Sequence, residues 1–464
     1  VEEGYGVNGE ALGAIAADHP GALVVTVDCG ITAVWEARLA RSLGLGLIIT
    51  DHHEPAAELP EADVLVHPRL PGSAYPFTDL CGCGVAFKVA WQVCKGFGDG
   101  KRASPHMRNF LVEALNLVAL ATVADVVPID GENRIFVRHG LNGLSGRPSV
   151  GARALIEVSN LLGRTLNTGN IGFGLAPRIN AAGRMSKATA AVEMLTTDDA
   201  ELALARAREL DECNKQRQEV EAATVTEARR MLDEAGGLHG RGAIVLGKAG
   251  WHPGVIGIVA GRLAEMFHRP TIIVAFDSEQ GQGQGSARSV PGFNLIEALR
   301  ACSDGLTRFG GHAAAAGLKV PMADFGPFAE RFDRHCREVL TPEQLQKTLT
   351  IDAEVPLAAL TLRMVEMVGQ LEPYGVGNPR PLLMADDVRV VGDPKGVGER
   401  GQHLRMRVAQ GGTTLGVIGW NLAERGKALK AGSNCSIAFE PDINEWRERR
   451  EVQLVLRDFQ VREE

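Results

Sequence analysis

Long apolar runs are missing from this sequence. None approaches the roughly 20 residues that span a bilayer, and no signal peptide opens it, which argues against a membrane partner. Aromatic residues are scarce, at 5% of 464 positions, so extensive base-stacking platforms are not expected. The eight cysteines form no metal knuckle. The tightest pair, Cys81 and Cys83 in "DLCGCGVAF", is too close for the CxxC ligand pattern, so reduced thiols in a cytosolic protein are expected. Surplus positive charge is absent too: the net charge of −8 excludes a general basic coat for nucleic acid, although not a local basic groove. The chain enters on Val1 in "VEEGYGVN", which reads as the middle of a domain, with further residues expected upstream.

What is present is a succession of patterns. Residues 1–197 are α/β in character. "ALVVTVDCG" (22–30) is a β-rich strand ending in Asp28, "AVWEARLARSLG" (33–44) has helical spacing, and "LGLIITDHH" (45–53) is the next strand; this βαβ unit predicts a parallel sheet. "RNFLVEALNLVALATVADVVP" (108–128) predicts a long helix stopping at Asp125, just before Pro128. Residues 198–235 carry dense charge and no proline, and read as a long, largely exposed helix between domains. Residues 236–340 restart βαβ patterning as a second, smaller α/β domain. From 345 to 464 short alternating strands with turns predict a small all-β barrel or sandwich.

In a parallel α/β sheet, ligands sit beyond the carboxyl ends of the strands. Asp28 and the Asp51-His52-His53 cluster both fall there on consecutive strands, so they should converge. Hard divalent ions favour carboxylate oxygen, and Mn²⁺ also accepts imidazole. Asp28, His52 and Asp125 together supply a partial metal cage. His53 should point elsewhere if the backbone stays extended, since neighbours alternate faces, and is then free to meet a substrate phosphate.

A second site is expected in "GQGQGSARSVPG" (281–292), where Ser286 and Arg288 share one strand face and pair a hydroxyl with a guanidinium, a combination suited to phosphate. "RFGGHAAAAG" places Gly310, Gly311 and His312 before an alanine run; if that run is helical, its free N–H groups face an anion. Arg178, Asn180 and Arg184 of "PRINAAGR" are further candidates for lining the cleft, as are Asn214 and Arg217, three apart on the long helix and expected to face the same cleft. In the β region, Trp420, Trp446, Phe439 and Tyr374 are the aromatic candidates, and Arg405, Arg407, Arg447, Arg449 and Arg450 the basic ones.

"VTVDCGI" followed by "TDHHEP" resembles the DHH phosphoesterase superfamily. Together with "GYGVN", "LCGCGVAFK", "ATVADVVP", "APRINAAGRM", "WHPGVIGIVAGRL", "GSARSVPGFN", "RFGGHAAAAG" and "EPYGVGNPRP", in that order, the whole chain resembles the bacterial RecJ family. The resemblance implies a DHH domain, a substrate-gripping DHHA1 domain and an oligonucleotide-binding (OB-like) barrel. It implies a cytoplasmic, single-strand-specific 5′→3′ DNA exonuclease with two Mn²⁺ or Mg²⁺ ions, working beside a single-strand-binding protein and a RecQ-type helicase. By motif, Asp28 would bridge the ions, His52 and Asp125 would be further ligands, His53 would contact the scissile phosphate, and Asp51 would orient a histidine. The family's aspartate-rich D-x-D-x-x-G motif appears nowhere here, so weak or absent metal binding is expected of this stretch alone. A DHH oligoribonuclease or cyclic-dinucleotide phosphodiesterase, and a catalytically silent scaffold, are the alternatives.

Overall fold

The computed structural model describes residues 6–185, 188–446 and 449–462. Arg447 and the side chain of Trp446 lie outside what is described. Contacts divide the chain into two compact units.

One unit comprises Gly6–Gly146, Thr165–Ile171 and Leu349–Glu464. It opens with the parallel sheet that the βαβ pattern demands: β1 (Leu23–Val27), β2 (Gly46–Thr50) and β3 (Val64–Val66), in that order. β-Branched residues dominate these strands, and the alternation in β2 buries Leu47 and Ile49 against Leu12, Ala37 and Ala40 of the flanking helices. Helix Pro105–Ala124 starts with proline in its first turn behind a Ser104 cap. It is apolar enough to cross a membrane by length and composition, a point that the search for uninterrupted apolar runs missed because polar residues break the run. In the fold it packs against helices Gly82–Gly96 and Gly131–Gly146. A Cβ on Gly140 would lie 2.2 Å from the Leu115 carbonyl oxygen, so the two helices touch backbone to backbone. Gly140→Ala is expected to cost about 3 kcal/mol in chemical denaturation, the upper range for overpacking.

The same unit holds the β region, with strands β9 (Ala353–Glu354), β10 (Leu383–Val390), β11 (Lys395–Val397), β12 (His403–Gln410), β13 (Thr413–Gly419), β14 (Asn434–Trp446) and β15 (Arg449–Val461), counted after the five strands β4–β8 of the second unit given below. Their order is β11-β12-β13-β15-β14-β10-β9, and an added β12–β10 pairing curls the sheet back on itself, as expected for a barrel. Val388, Val408, Ile437, Phe439 and Leu454 fill its centre. The "EPYGVGNP" turn that leads into it docks on the loop after helix Pro105–Ala124. Ile129 donates its N–H to the Val376 carbonyl at 2.6 Å, and a Cβ on Gly375 would sit 2.6 Å from Ile129.

The second unit comprises Arg147–Arg164 and Gly172–Thr348. Its sheet contains β4 (Ile244–Ala249), β5 (Thr271–Asp277), β6 (Gln282–Arg288), β7 (Arg308–Gly311) and β8 (Ala315–Pro321), in the order β4-β5-β6-β8-β7. Only β4 and β5 run parallel. Two expectations change here. The helix Ala200–Glu234 is no exposed spacer: Ala203, Ala207, Leu210, Asn214, Arg217, Glu221, Thr224, Ala228 and Leu232 form a buried stripe at three- and four-residue spacing. Small alanines and four buried polar residues hid that face from the pattern. Residues 172–197, placed with the first domain on sequence, cluster with this unit because their helices pack on the long helix.

Candidate metal centre

The site is built where β1 and β2 end. Asp28 follows β1 and turns into the left-handed region, φ 65°, a conformation that aspartate tolerates better than most residues. Its N–H still bonds the Thr50 carbonyl, so the turn begins in register with β2. Below it, helix Gly82–Gly96 starts on a Cys81 cap. A Cβ on Gly82 would stand 2.2 Å from Asp28 Oδ1, so only glycine leaves the carboxylate its place.

Asp51 is almost fully buried and accepts every nearby donor. Its Oδ2 takes the Ile31 N–H at 2.9 Å, and its Oδ1 takes the His52 N–H, the His53 N–H and the His53 ring nitrogen Nδ1, at 2.7, 3.2 and 2.7 Å. Burial opposes its ionised form, but these bonds outweigh it and hold the carboxyl below its ordinary range. They also curl the chain after Thr50, where β2 stops. Strand alternation therefore ends before the histidines, and His53 does not point away from its neighbour: the two rings lie 4.4 Å apart.

His52 Nε2 lies 3.1 Å from Asp28 Oδ1 and 3.4 Å from Asp125 Oδ2. It is buried and hydrogen-bonded to neither. Burial lowers the basicity of His52, but the two carboxylates outweigh it and the net pKa is raised. Burial and the Asp28 charge push Asp125 up. Asp125 also caps the carboxyl end of helix Pro105–Ala124, where the dipole disfavours a negative charge. An orphaned buried nitrogen facing two carboxylates at a helix carboxyl end is a setting that a cation relieves. Ligand atoms of Asp28, His52 and His53 fall within 4.8 Å of one another, so imidazole and carboxylate donors converge as a divalent ion requires. The structure thus brings Asp28, His52 and Asp125 together. The next residue, Val126, is β-branched yet sits at φ 61°, a strained conformation held by the docked loop beyond it. Val126→Gly should raise stability by about 1 kcal/mol, read in urea unfolding.

In the second unit, Ser286 and Arg288 do share a face of β6: the Arg288 guanidinium bonds Ser286 Oγ at 3.2 Å. Burial and the nearby Arg184 charge both lower the Arg288 pKa. Ser286 lies opposite Gly317, itself opposite Gly310, so the sheet on the β8 side of the hydroxyl is bare of side chains. Helix Ile256–Phe267 closes the other side, where a Cβ on Gly257 would be 3.0 Å from Ser286 Oγ. The alanine run after His312 is not a helix: it turns through Ala313 and Ala314 into strand β8, whose Ala316, Leu318 and Val320 alternate into the core. Gly310, Gly311 and His312 therefore sit at a hairpin, with no helix end to meet an anion. Arg178 is committed to Asp211 at 2.8 Å and to the Gly174 carbonyl, while Asn180 is exposed. Asn214 and Arg217 are buried and bonded to each other, with Arg217 also paired to Glu221. Among the aromatic candidates, Phe439 is core and Tyr374 bonds the Val368 carbonyl, whereas Trp420 is exposed and meets the His403 ring edge-on at 4.8 Å. Arg405 and Arg407 are exposed together on β12; Arg450 is spent on Glu366 and Glu445.

Sequence reasoning missed Gly82 and Gly257. Each signal was a glycine in the first turn of a helix, visible but without a reason until the opposing side chain was known.

Three family descriptions match: the DHH family N-terminal domain over residues 6–122, the DHHA1 domain over 240–338 and the RecJ OB domain over 351–458. The single-stranded-DNA-specific exonuclease RecJ of Bacillus subtilis is 38% identical over all of this chain, which spans 57% of that protein's length. The protein of the same name from Dickeya dadantii is 37% identical over 98% of this chain and 80% of its own. The crystal structure of RecJ in complex with Mn²⁺ from Thermus thermophilus superimposes with a TM-score of 0.83 at 32% identity, covering 98% of this chain and 64% of that one. Sequence, domain order and fold agree over nearly the whole length, and the chain belongs to the RecJ family.

Proposed function

We propose that this chain is the catalytic part of a metal-dependent, single-strand-specific 5′→3′ DNA exonuclease that hydrolyses phosphodiester bonds in DNA repair and recombination. The observation that carries the reading is the buried, unbonded Nε2 of His52 between Asp28 and Asp125. These three residues would hold Mn²⁺ or Mg²⁺. Such an ion, once bound, supplies Lewis acidity toward the phosphodiester and toward an attacking water. The two carboxylates balance the charge of one divalent ion; a second would draw on the substrate phosphate.

The remaining tasks fall to the chain itself. Asp51 accepts from His53 Nδ1, which orients the ring for contact with the scissile phosphate. Ser286 and Arg288 hold a phosphate of the strand. Arg405, Arg407 and Trp420 bind it further along, by backbone charge and one stacked base, so binding should be sequence-tolerant and fall with salt. Single-stranded DNA is the partner of first rank; a single-strand-binding protein and a RecQ-type helicase would supply it, in the cytoplasm.

The barrel argues against an oligoribonuclease or cyclic-dinucleotide enzyme, which would have no use for a long strand-binding surface. The convergence of Asp28, His52 and Asp125 argues against a silent scaffold. Digestion of 5′-labelled single-stranded DNA with Mn²⁺ by an N-terminally extended version that carries the aspartate-rich motif tests the reading, with this stretch alone, duplex DNA, a dinucleotide and His53→Ala as comparisons. The expected result is Mn²⁺-dependent release of label as short products, lost in His53→Ala. Equal cleavage of duplex, a preference for the dinucleotide, or indifference to His53→Ala would overturn it.

A further inference from the structure

His67 is a buried polar side chain with no place in the chemistry above. It lies at the end of β3, 6% exposed. Its Nδ1 receives the Arg69 N–H at 3.0 Å, and its Nε2 stands 2.7 Å from the His53 carbonyl oxygen. These partners leave one arrangement. A backbone N–H can only donate, so Nδ1 must be bare; a carbonyl can only accept, so Nε2 must carry the hydrogen. His67 is a neutral imidazole of fixed tautomer, donating to the main chain of His53. Arg69 in turn is anchored by ion pairs to Glu54 and Asp79 and by its Nε–H to the Thr78 carbonyl, so the imidazole is held from behind.

Among the described residues His53 is therefore gripped at its N–H, its ring and its carbonyl. Asp51 takes its N–H and its Nδ1, and His67 takes its carbonyl. Asp51 pins the N–H and the ring of His53, and the His67 bond pins its carbonyl, so the main chain that carries the ring is held on both sides of Cα.

We propose that His67 is a positioning residue for His53, fixing the peptide after the Asp51-His52-His53 run so that the His53 ring meets the phosphate in one orientation. The inference rests on the reading of His53 as the group that contacts the scissile phosphate. Among the described residues His67 forms no hydrogen bond or ion pair with His52, Asp28 or Asp125, so His67 should act chiefly on turnover rather than on metal affinity.

The test is a double-mutant cycle with a metal-binding readout. His67→Ala should lower kcat by about 10- to 100-fold, the range for residues that orient a reacting group, with KM and Mn²⁺ affinity (by electron paramagnetic resonance) within about twofold. His67→Gln, whose amide N–H reaches toward the same carbonyl, should recover part of the loss. His67→Asn, which keeps only an acceptor for Arg69, should not. In a His53→Ala background, His67→Ala should have no further effect. Loss of Mn²⁺ affinity with His67→Ala, full rescue by His67→Asn, or additive losses in the double mutant would each overturn the proposal. A parent protein without Mn²⁺-dependent nuclease activity would instead overturn the reading beneath it, so the two failures are distinct.

Discussion

His52→Ala is expected to reduce hydrolysis of single-stranded DNA by about three orders of magnitude, equivalent to ~4 kcal/mol of barrier. The side chain is the half-buried imidazole between two carboxylates, 3.1 and 3.4 Å from them. Its removal leaves Asp28 and Asp125 facing each other with one fewer ligand for a cation. Gly82→Ala should give a similar loss by a different route. The new methyl group would occupy the position of the Asp28 carboxylate, which must then rotate out of the site. Both variants should lose Mn²⁺ affinity while unfolding at close to the parent denaturant concentration. A Gly82→Ala protein with activity within tenfold of the parent would show that Asp28 is not a ligand in this position.

The second large effect is on stability. Asp51→Asn is expected to cost about 3 kcal/mol in urea unfolding, since hydrogen bonds to a buried carboxylate contribute more than neutral ones. Asparagine keeps one acceptor oxygen and turns an NH₂ group toward donors: the Ile31 N–H on one side, or the His52 and His53 groups on the other. Either way a buried N–H meets another N–H. The variant should also lose activity, because the same carboxylate orients His53. A stability change within about 0.5 kcal/mol, the size of an ordinary surface substitution, would contradict the account of Asp51 as the hub of the turn.

Much of this site was visible in the residues alone. Asp28 and the Asp51-His52-His53 run stand at the mouths of two strands whose β-branched composition and intervening helix made a parallel pair a safe expectation. The Ser286-Arg288 face followed from two-residue alternation, which holds inside a strand. The failures came where alternation or composition stopped applying. His53 lies past the end of β2, so its direction was decided by the Asp51 carboxylate. The alanine run after His312 favours helix locally, and pairing of Ala315 and Ala316 with β6 and β7 overrode that preference. The helix Ala200–Glu234 reads as exposed because its buried face mixes small alanines with Asn214, Arg217, Glu221 and Thr224, residues that count as polar in any pattern.

By itself the sequence determined the chemistry on offer, namely which acids and imidazoles exist and which strand ends carry them, since side-chain identity and short-range periodicity are local properties. Only the tertiary structure decided which of those groups share a site and what holds them. The His53 carbonyl finds His67, Asp28 finds Gly82, and Ile129 finds Val376 through hydrogen bonds and close contacts between segments far apart in the chain, and no local periodicity encodes such pairings.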